Sequence, residues 1–106
     1  MSERMRLPNR RLNESLAFVC HGQRYVATLG FFENGNLAEI FLQNAKLGSH
    51  ADASAKDSAI LASLGLQYGI PLSVIRHSLL RDARGTASSP VGMALDLVSA
   101  KQNDAA

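Results

Sequence analysis

Cysteine and tryptophan are the residues that this chain of 106 most lacks, because it has one cysteine and no tryptophan. With Cys20 alone, no intramolecular disulfide and no cysteine-based metal cluster can form. Only six residues are aromatic, so we expect a mainly aliphatic core. A single thiol is typical of a reducing setting, and we expect a cytoplasmic protein.

Long hydrophobic runs are also missing. No apolar stretch approaches the roughly 18 residues that a membrane span needs, so we expect no membrane association. The positively charged N-terminus has no apolar stretch after it, which argues against a secretory signal. No pattern of histidines, cysteines or carboxylates has metal-ligand spacing, so we expect no metal site.

Positive charge is concentrated at the N-terminus, where four arginines are opposed only by Glu3: Arg4, Arg6, Arg10 and Arg11. Such an arm can attract phosphates or an acidic partner, or it can be a solvated terminus without a partner. The length and a hydrophobic content of 46% fit one globular domain. We predict a basic arm over 1–13, a single domain over 14–100 and a frayed tail over 101–106.

Residues 15–43 have the composition and alternation of β structure. His21-Gly22 and Asn34-Gly35 are turn signals, because these residues tolerate a left-handed backbone. Three strands joined by two short turns predict an antiparallel meander. Both faces of these strands carry apolar residues, so helices can cover one face and a partner subunit is a candidate for the other.

Helical spacing follows the strands. An apolar stripe over 52–69 predicts a helix with Asp52 as its N-cap, ended by Gly69 and Pro71. Pro71 can open a second helix, and Ser89-Pro90 is typical of the start of a third. The order of strands and then about three helices predicts an α+β fold with the helices packed on one face.

Candidate chemistry is sparse. His50 with Asp52 or Asp57 could orient a general base, but no nucleophile has a recognisable setting, and we expect no catalytic residue. The loop before Pro90 combines cations, hydroxyls and a helix start, which favours an anion site formed by Arg81, Arg84, Thr86, Ser88 and Ser89. The alternative is that these residues only cap the helix that starts at Pro90 and stabilise the conformation of the loop before it.

Two polar residues lie within apolar segments. Glu39 interrupts the third predicted strand, and Gln67 lies on the apolar helix. Each either points to solvent or fixes a neighbouring loop through hydrogen bonds.

Several motifs in order resemble a known family: Leu7-Pro8 with Arg11, Asn34-Gly35, Glu39-Ile40-Phe41, Gly48-Ser49, Leu66–Pro71, and Gly85 through Ser88-Ser89-Pro90. Together they resemble the TSCPD domain, found in the C-terminal region of adenosylcobalamin (vitamin B12)-dependent, class II ribonucleotide reductases and in small stand-alone proteins. The resemblance covers roughly Leu7 to Val98. It implies structural roles for Gly35, Glu39, Gly48, Ser49, Gln67, Gly69, Pro71 and Pro90.

The motif that names this family is altered here. Ser89 stands where the motif has cysteine, and Val91 stands where it has aspartate. The resemblance therefore implies no thiol or metal role for this motif in this chain.

The resemblance implies an accessory module in deoxyribonucleotide synthesis and DNA replication. It would dock on a larger ribonucleotide reductase subunit or on itself, without catalysis of its own, because the reductase chemistry needs three thiols. Cobalamin would be present only through a reductase partner. The alternative is a nucleic-acid or nucleotide-phosphate binding module that uses the Arg-rich N-terminus and the 81–90 loop. A small enzyme that uses His50 is the third hypothesis.

Overall fold

The computed structural model describes residues 3–5, 7 and 13–105 of the chain, with side chains to residue 102. The described elements are, in order, β1 (Asn13–Cys20), β2 (Gln23–Phe31), β3 (Leu37–Asn44), α1 (His50–Gln67), α2 (Leu72–Ser78) and α3 (Pro90–Ala105). Three antiparallel strands in the order β1-β2-β3 precede three helices, which confirms the predicted α+β class.

The two predicted turns join the three strands. His21 and Gly22 have φ of 51° and 75°, and this pair of left-handed residues closes the two-residue turn between Cys20 and Gln23. Gly35 has φ of 89° in the second turn, where its N–H donates to the Phe32 carbonyl at 2.9 Å. Because such turns match the twist of the strands, the sheet is a simple meander.

Alternation along the strands separates a buried face from an exposed face. Tyr25, Ala27 and Leu29 of β2 are buried on the inner face, where residues of α1 and α3 complete the core. These helical residues are mainly small or aliphatic: Ala55, Ala59, Ala62, Leu66, Val91, Ala94, Leu95 and Val98. The core is therefore aliphatic, as the composition predicts.

The start of α1 differs from the prediction. Ser49, not Asp52, is the N-cap, and its Oγ accepts a hydrogen bond from the Asp52 N–H at 3.1 Å. The predicted Asp52 cap is wrong because the turn at Gly48, with φ of 75°, places the Ser49 hydroxyl at the helix start. Asp52 lies in the first turn, and its carboxylate accepts bonds from the Asn44 and Gly48 N–H groups at 3.0 Å each.

The end of α1 is a Schellman motif at the predicted position. Gly69 has φ of 95°, its N–H donates to the Leu66 carbonyl, and the Ile70 N–H donates to the Gly65 carbonyl at 2.9 Å. Pro71 is the N-cap of α2 rather than its first residue, because its extended backbone (ψ 142°) precedes the helix.

Helix α3 begins at Pro90, as predicted. The Ser89 Oγ accepts a hydrogen bond from the Gly92 N–H at 3.2 Å. The helix continues to Ala105, within the segment that the sequence predicts to fray. The division of the chain into arm, domain and tail stays a prediction.

Side chains of α1 bond to the backbone at the outer edge of β3. The odd-numbered residues of β3 direct their backbone N–H and carbonyl groups toward β2, because the Ala45 N–H continues that ladder by donating to the Arg24 carbonyl. The even-numbered residues therefore direct their backbone groups toward α1. The Ser63 Oγ accepts from the Ile40 N–H at 2.9 Å and donates to the Ile40 carbonyl at 3.0 Å.

Contacts at both ends of the strand continue this pattern. Gln67 Nε2 donates to the Ala38 carbonyl at 3.1 Å, and the Asn44 N–H donates to Asp52. Helix α1 thus runs antiparallel to β3 and replaces part of the hydrogen bonding of a fourth strand. Without these contacts the edge would present unpaired backbone groups.

We predict that Ser63→Ala destabilises the fold by about 1–3 kcal/mol, because it leaves the buried N–H and carbonyl of Ile40 without a partner. Urea denaturation measures this loss. Ser58→Ala is the matched control, since the Ser58 hydroxyl bonds only to the Ala55 carbonyl of its own helix. Equal losses of stability for the two variants would show that the edge contact contributes nothing particular.

Candidate interaction surface

The outer face of the sheet exposes large apolar side chains. Val19, Val26 and Phe41, one from each strand, have 58%, 44% and 51% of their surface exposed. The register brings them together, because Ala17 is opposite Val26, and Thr28, next to Val26 on the same face, is opposite Phe41. We name Val19, Val26 and Phe41, together with Ile60 of α1, the outer patch.

A groove of about 430 Å³ separates the sheet part of this patch from α1. Val26, Thr28 and Phe41 line it on one side. On the other side lie Ala59, Ile60 and the stem of Lys56, whose ammonium group bonds to Asp52 at 2.8 Å. A contiguous apolar patch with a polar rim is typical of a protein interface.

Glu39 lies at the opposite end of the outer face and is buried, with 7% of its surface exposed. Its carboxylate lies over Gly30, where an added Cβ would be 2.6 Å from Oε1. The interpretation that Glu39 points to solvent is therefore wrong, and the absence of a side chain at residue 30 makes room for it.

Gln67 fixes neighbouring segments rather than pointing to solvent. It is 2% exposed, and besides its bond to Ala38 its Oε1 accepts a hydrogen bond from Arg4. The Gln67 carbonyl accepts from the Met5 N–H at 2.6 Å. One described arginine of the predicted basic arm is thus held against the end of α1, while Arg6, Arg10 and Arg11 lie outside the described residues.

The predicted anion site has much of its charge paired internally. Arg81 donates to both carboxylate oxygens of Asp96, at 2.7 and 2.8 Å, and Arg76 donates to the same carboxylate at 2.9 Å. Such a bidentate pair is a strong, oriented interaction. Arg81 also donates to the Gly85 carbonyl at 3.0 Å, so this arginine holds the loop to α3.

Backbone donors of the same loop bond to an internal carboxylate. Asp82 Oδ1 accepts from the N–H groups of Arg84 and Thr86 at 2.9 and 3.0 Å. The Ser88 carbonyl contacts His21 Nε2 at 2.8 Å, and Ser89 caps α3. The guanidinium of Arg84 is exposed and has no partner among the described residues. The structure thus brings the five residues into one loop with structural contacts, and anion binding there stays a prediction.

The described contacts engage Asp52 with groups other than His50, whereas a pairing of His50 with Asp57 stays a prediction. His50 is the first residue of α1 and exposed, while both oxygens of Asp52 bond to other groups. Cys20 is 2% exposed, and burial raises the pKa of its thiol. No three potential metal ligands cluster among the described residues. None of the described helices is long and apolar enough to cross a bilayer.

About two thirds of the chain is similar in sequence to part of one named enzyme. Over 72 residues, 68% of the chain, it is 38% identical to the vitamin B12-dependent ribonucleotide reductase of Bradyrhizobium diazoefficiens. Over 70 residues, 66% of the chain, it is 40% identical to the protein of the same name from Agrobacterium fabrum. A segment of the chain is homologous to part of this reductase.

The match covers only a small part of these reductases. It spans 6% of each of those two proteins, and 12% of the Streptantibioticus cattleyicolor protein of that name, which is 35% identical over 69 residues. No protein-family model and no solved structure matches the chain. The homology thus supports a module derived from a reductase and does not extend to the whole enzyme.

The only sequence feature that indicates the outer patch is the presence of apolar residues on both faces of the predicted strands. The sequence indicates an uncovered face but does not single out Val26 or Phe41. Ile60 lies beside the apolar stripe of the predicted helix, and yet it is 53% exposed. The sequence does not show the position of α1, which lies along the β3 edge and brings Ile60 next to the groove.

We predict that stability falls as the pH drops from about 4 to about 2. A hydrogen bond from Lys56, assisted by the Asn44 and Gly48 N–H groups, lowers the pKa of Asp52 to about 2, and Arg81 with Arg76 does the same for the pKa of Asp96. Because the folded-state pKa values lie below the ordinary value of 3.8, both carboxylates stabilise the fold above pH 4.

Thermal denaturation between pH 2 and 6 tests this dependence. Asp52→Asn should flatten it, whereas Asp57→Asn, at an exposed position of the same helix, should leave it unchanged. An identical pH profile for Asp52→Asn and the wild type would contradict the assignment.

We further predict that Arg81→Met destabilises the fold by about 1–3 kcal/mol, because it removes the bidentate partner of Asp96. Arg84→Met should change stability little, since that side chain is exposed. Denaturant midpoints of the two variants measure the difference. If Arg81 served only to bind an external anion, its loss would not destabilise the ligand-free chain.

Proposed function

We propose that this chain is a TSCPD-type accessory module of vitamin B12-dependent ribonucleotide reduction in the cytoplasm. It docks on a larger reductase subunit and has no catalysis of its own. The carrying observation is the 38–40% identity of two thirds of the chain to a segment of reductases with that name. The TSCPD assignment depends on the sequence motifs that carry that resemblance.

The outer patch supports docking. Its side chains come from all three strands and from α1, so it is a surface of the whole fold rather than of one loop. Interfaces are typically centred on aromatic and aliphatic side chains with a polar rim. Phe41, with the groove beside it and Lys56 at the rim, has this arrangement.

The thiol chemistry supports an accessory role. Cys20 is the only cysteine of the sequence, its side chain is buried, and burial raises the pKa of its thiol. A thiol that reacts needs exposure and a lowered pKa. We therefore assign radical and redox chemistry, and the bound cobalamin, to the larger subunit.

Titration of the chain against purified vitamin B12-dependent reductase from the same organism tests this proposal. We expect binding by the wild-type chain and an at least about tenfold higher Kd for Phe41→Asp, because the carboxylate would be desolvated in an apolar contact. Leu80→Asp is the control, since Leu80 is 80% exposed and belongs to the loop between α2 and α3, not to the strands or the helix that form the patch. Absence of binding by the wild-type chain would refute docking, as would equal Kd values for the two variants.

A further inference from the structure

The two edge strands of the sheet, β1 and β3, differ in how far their outward backbone groups are covered. The two-residue turn closes at the Cys20–Gln23 pair, so the even-numbered residues of β1 bond to β2. Asn13, Ser15, Ala17 and Val19 therefore direct their N–H and carbonyl groups away from the sheet. All four are exposed, and no other described residue bonds to these backbone groups.

Within the described residues, strand β1 lacks the usual devices that keep an edge from pairing. Natural edges are protected by lysine, proline, bulges or a covering element. Between Asn13 and Cys20 there is no proline and no basic residue, and all eight residues pair with β2 without a bulge. The only charge is that of Glu14, which bonds to Lys101 at 2.6 Å. The edge of β3, by contrast, is occupied by α1.

We propose that β1 pairs antiparallel with β1 of a second copy of this chain, which joins two meanders into one six-stranded sheet. Ala17 of one copy lies opposite Ala17 of the other, on a two-fold axis. This contact is made by the backbone of the β1 edge, and Val19 alone belongs also to the outer patch, through its side chain. The inference does not depend on the proposed function.

The sequence around Ala17 favours a second copy as the occupant. Leu16 and Phe18 flank Ala17 symmetrically, so antiparallel pairing places Leu16 of one copy against Phe18 of the other on the inner face. Both side chains are only half-buried in the single chain, at the margin of the core. A two-fold contact completes the burial of both pairs at once, as an isologous interface requires.

Charge also permits this register. Glu14 of one copy lies opposite Cys20 of the other copy. Because Cys20 is six residues from Glu14 along its own strand, the two Glu14 carboxylates are about 20 Å apart. Apart from Glu14, the paired strands carry no charge, so no like charges face each other across the axis.

Sedimentation velocity and amide hydrogen exchange of the wild-type chain test the proposal together. We expect a species of twice the 11.4 kDa chain mass and protection of the Ala17 and Val19 amides that increases with protein concentration. The Leu16 and Phe18 amides, which bond to β2, should be protected at all concentrations. A monomer at the highest soluble concentration would overturn the proposal, and so would a dimer in which the Ala17 and Val19 amides exchange freely.

Variants separate this contact from reductase docking. Ser15→Lys adds a protective charge to the edge at an exposed position outside the outer patch, and it should raise the dimer Kd at least about tenfold. Ala17→Pro removes an outward N–H without removing a bond to β2, and circular dichroism verifies its folding. Val26→Lys is the control, because Val26 is exposed on the central strand: it should weaken docking on the reductase and leave the dimer intact. Insensitivity of the dimer to Ser15→Lys, or binding of a reductase strand by β1 in place of a second copy, would refute the proposal.

Discussion

Hydrogen bonds between α1 and the edge of β3 determine where the rest of the structure lies. Asp52, Ser63 and Gln67 reach Asn44, Ile40 and Ala38, and the 15 residue-to-residue steps of helix from 52 to 67 match the length of the six steps of strand from 44 to 38. At rises of about 1.5 and 3.4 Å per residue, both spans are about 20 Å. Alanines fill the helix positions between the polar ones, so helix and strand can approach closely. The helix axis and the sheet are therefore fixed relative to each other by buried polar contacts as well as by packing.

The placement of α1 also leaves the opposite face of the sheet open. A helix that pairs with the edge of a sheet cannot lie across its outer face. Val26 and Phe41 therefore stay exposed, and Ile60, on the outward side of the helix, becomes the far wall of the groove. The surface that we assign to docking is thus a consequence of how β3 is protected.

Turns and helix ends that depend on the backbone preferences of their own residues were predictable from the sequence. Contacts between residues far apart in the sequence were not. His21-Gly22, Asn34-Gly35 and Gly69 act through their own backbone, so the turns and the end of α1 follow directly from residue type. Ser63, by contrast, is an ordinary helical serine until the position of the helix is known. Arg81 looks like an anion-binding residue because a sequence does not show that Asp96, fifteen residues later, faces it. Glu39 looks misplaced until Gly30 is recognised as its neighbour on β2.

The two proposed contacts, docking on the reductase and pairing of two β1 strands, extend from the same sheet in perpendicular directions. The β1 edge offers backbone groups in the plane of the sheet, whereas the outer patch offers apolar side chains along its normal. The two-fold axis of an antiparallel strand pair is perpendicular to the sheet, so two paired meanders present both outer patches on the same side. A single partner with two matching surfaces would then bind the second patch at a raised effective concentration. Pairing through β1 can therefore strengthen docking through Phe41, and Val19 is the one residue that the two contacts share, with its backbone in the first and its side chain in the second.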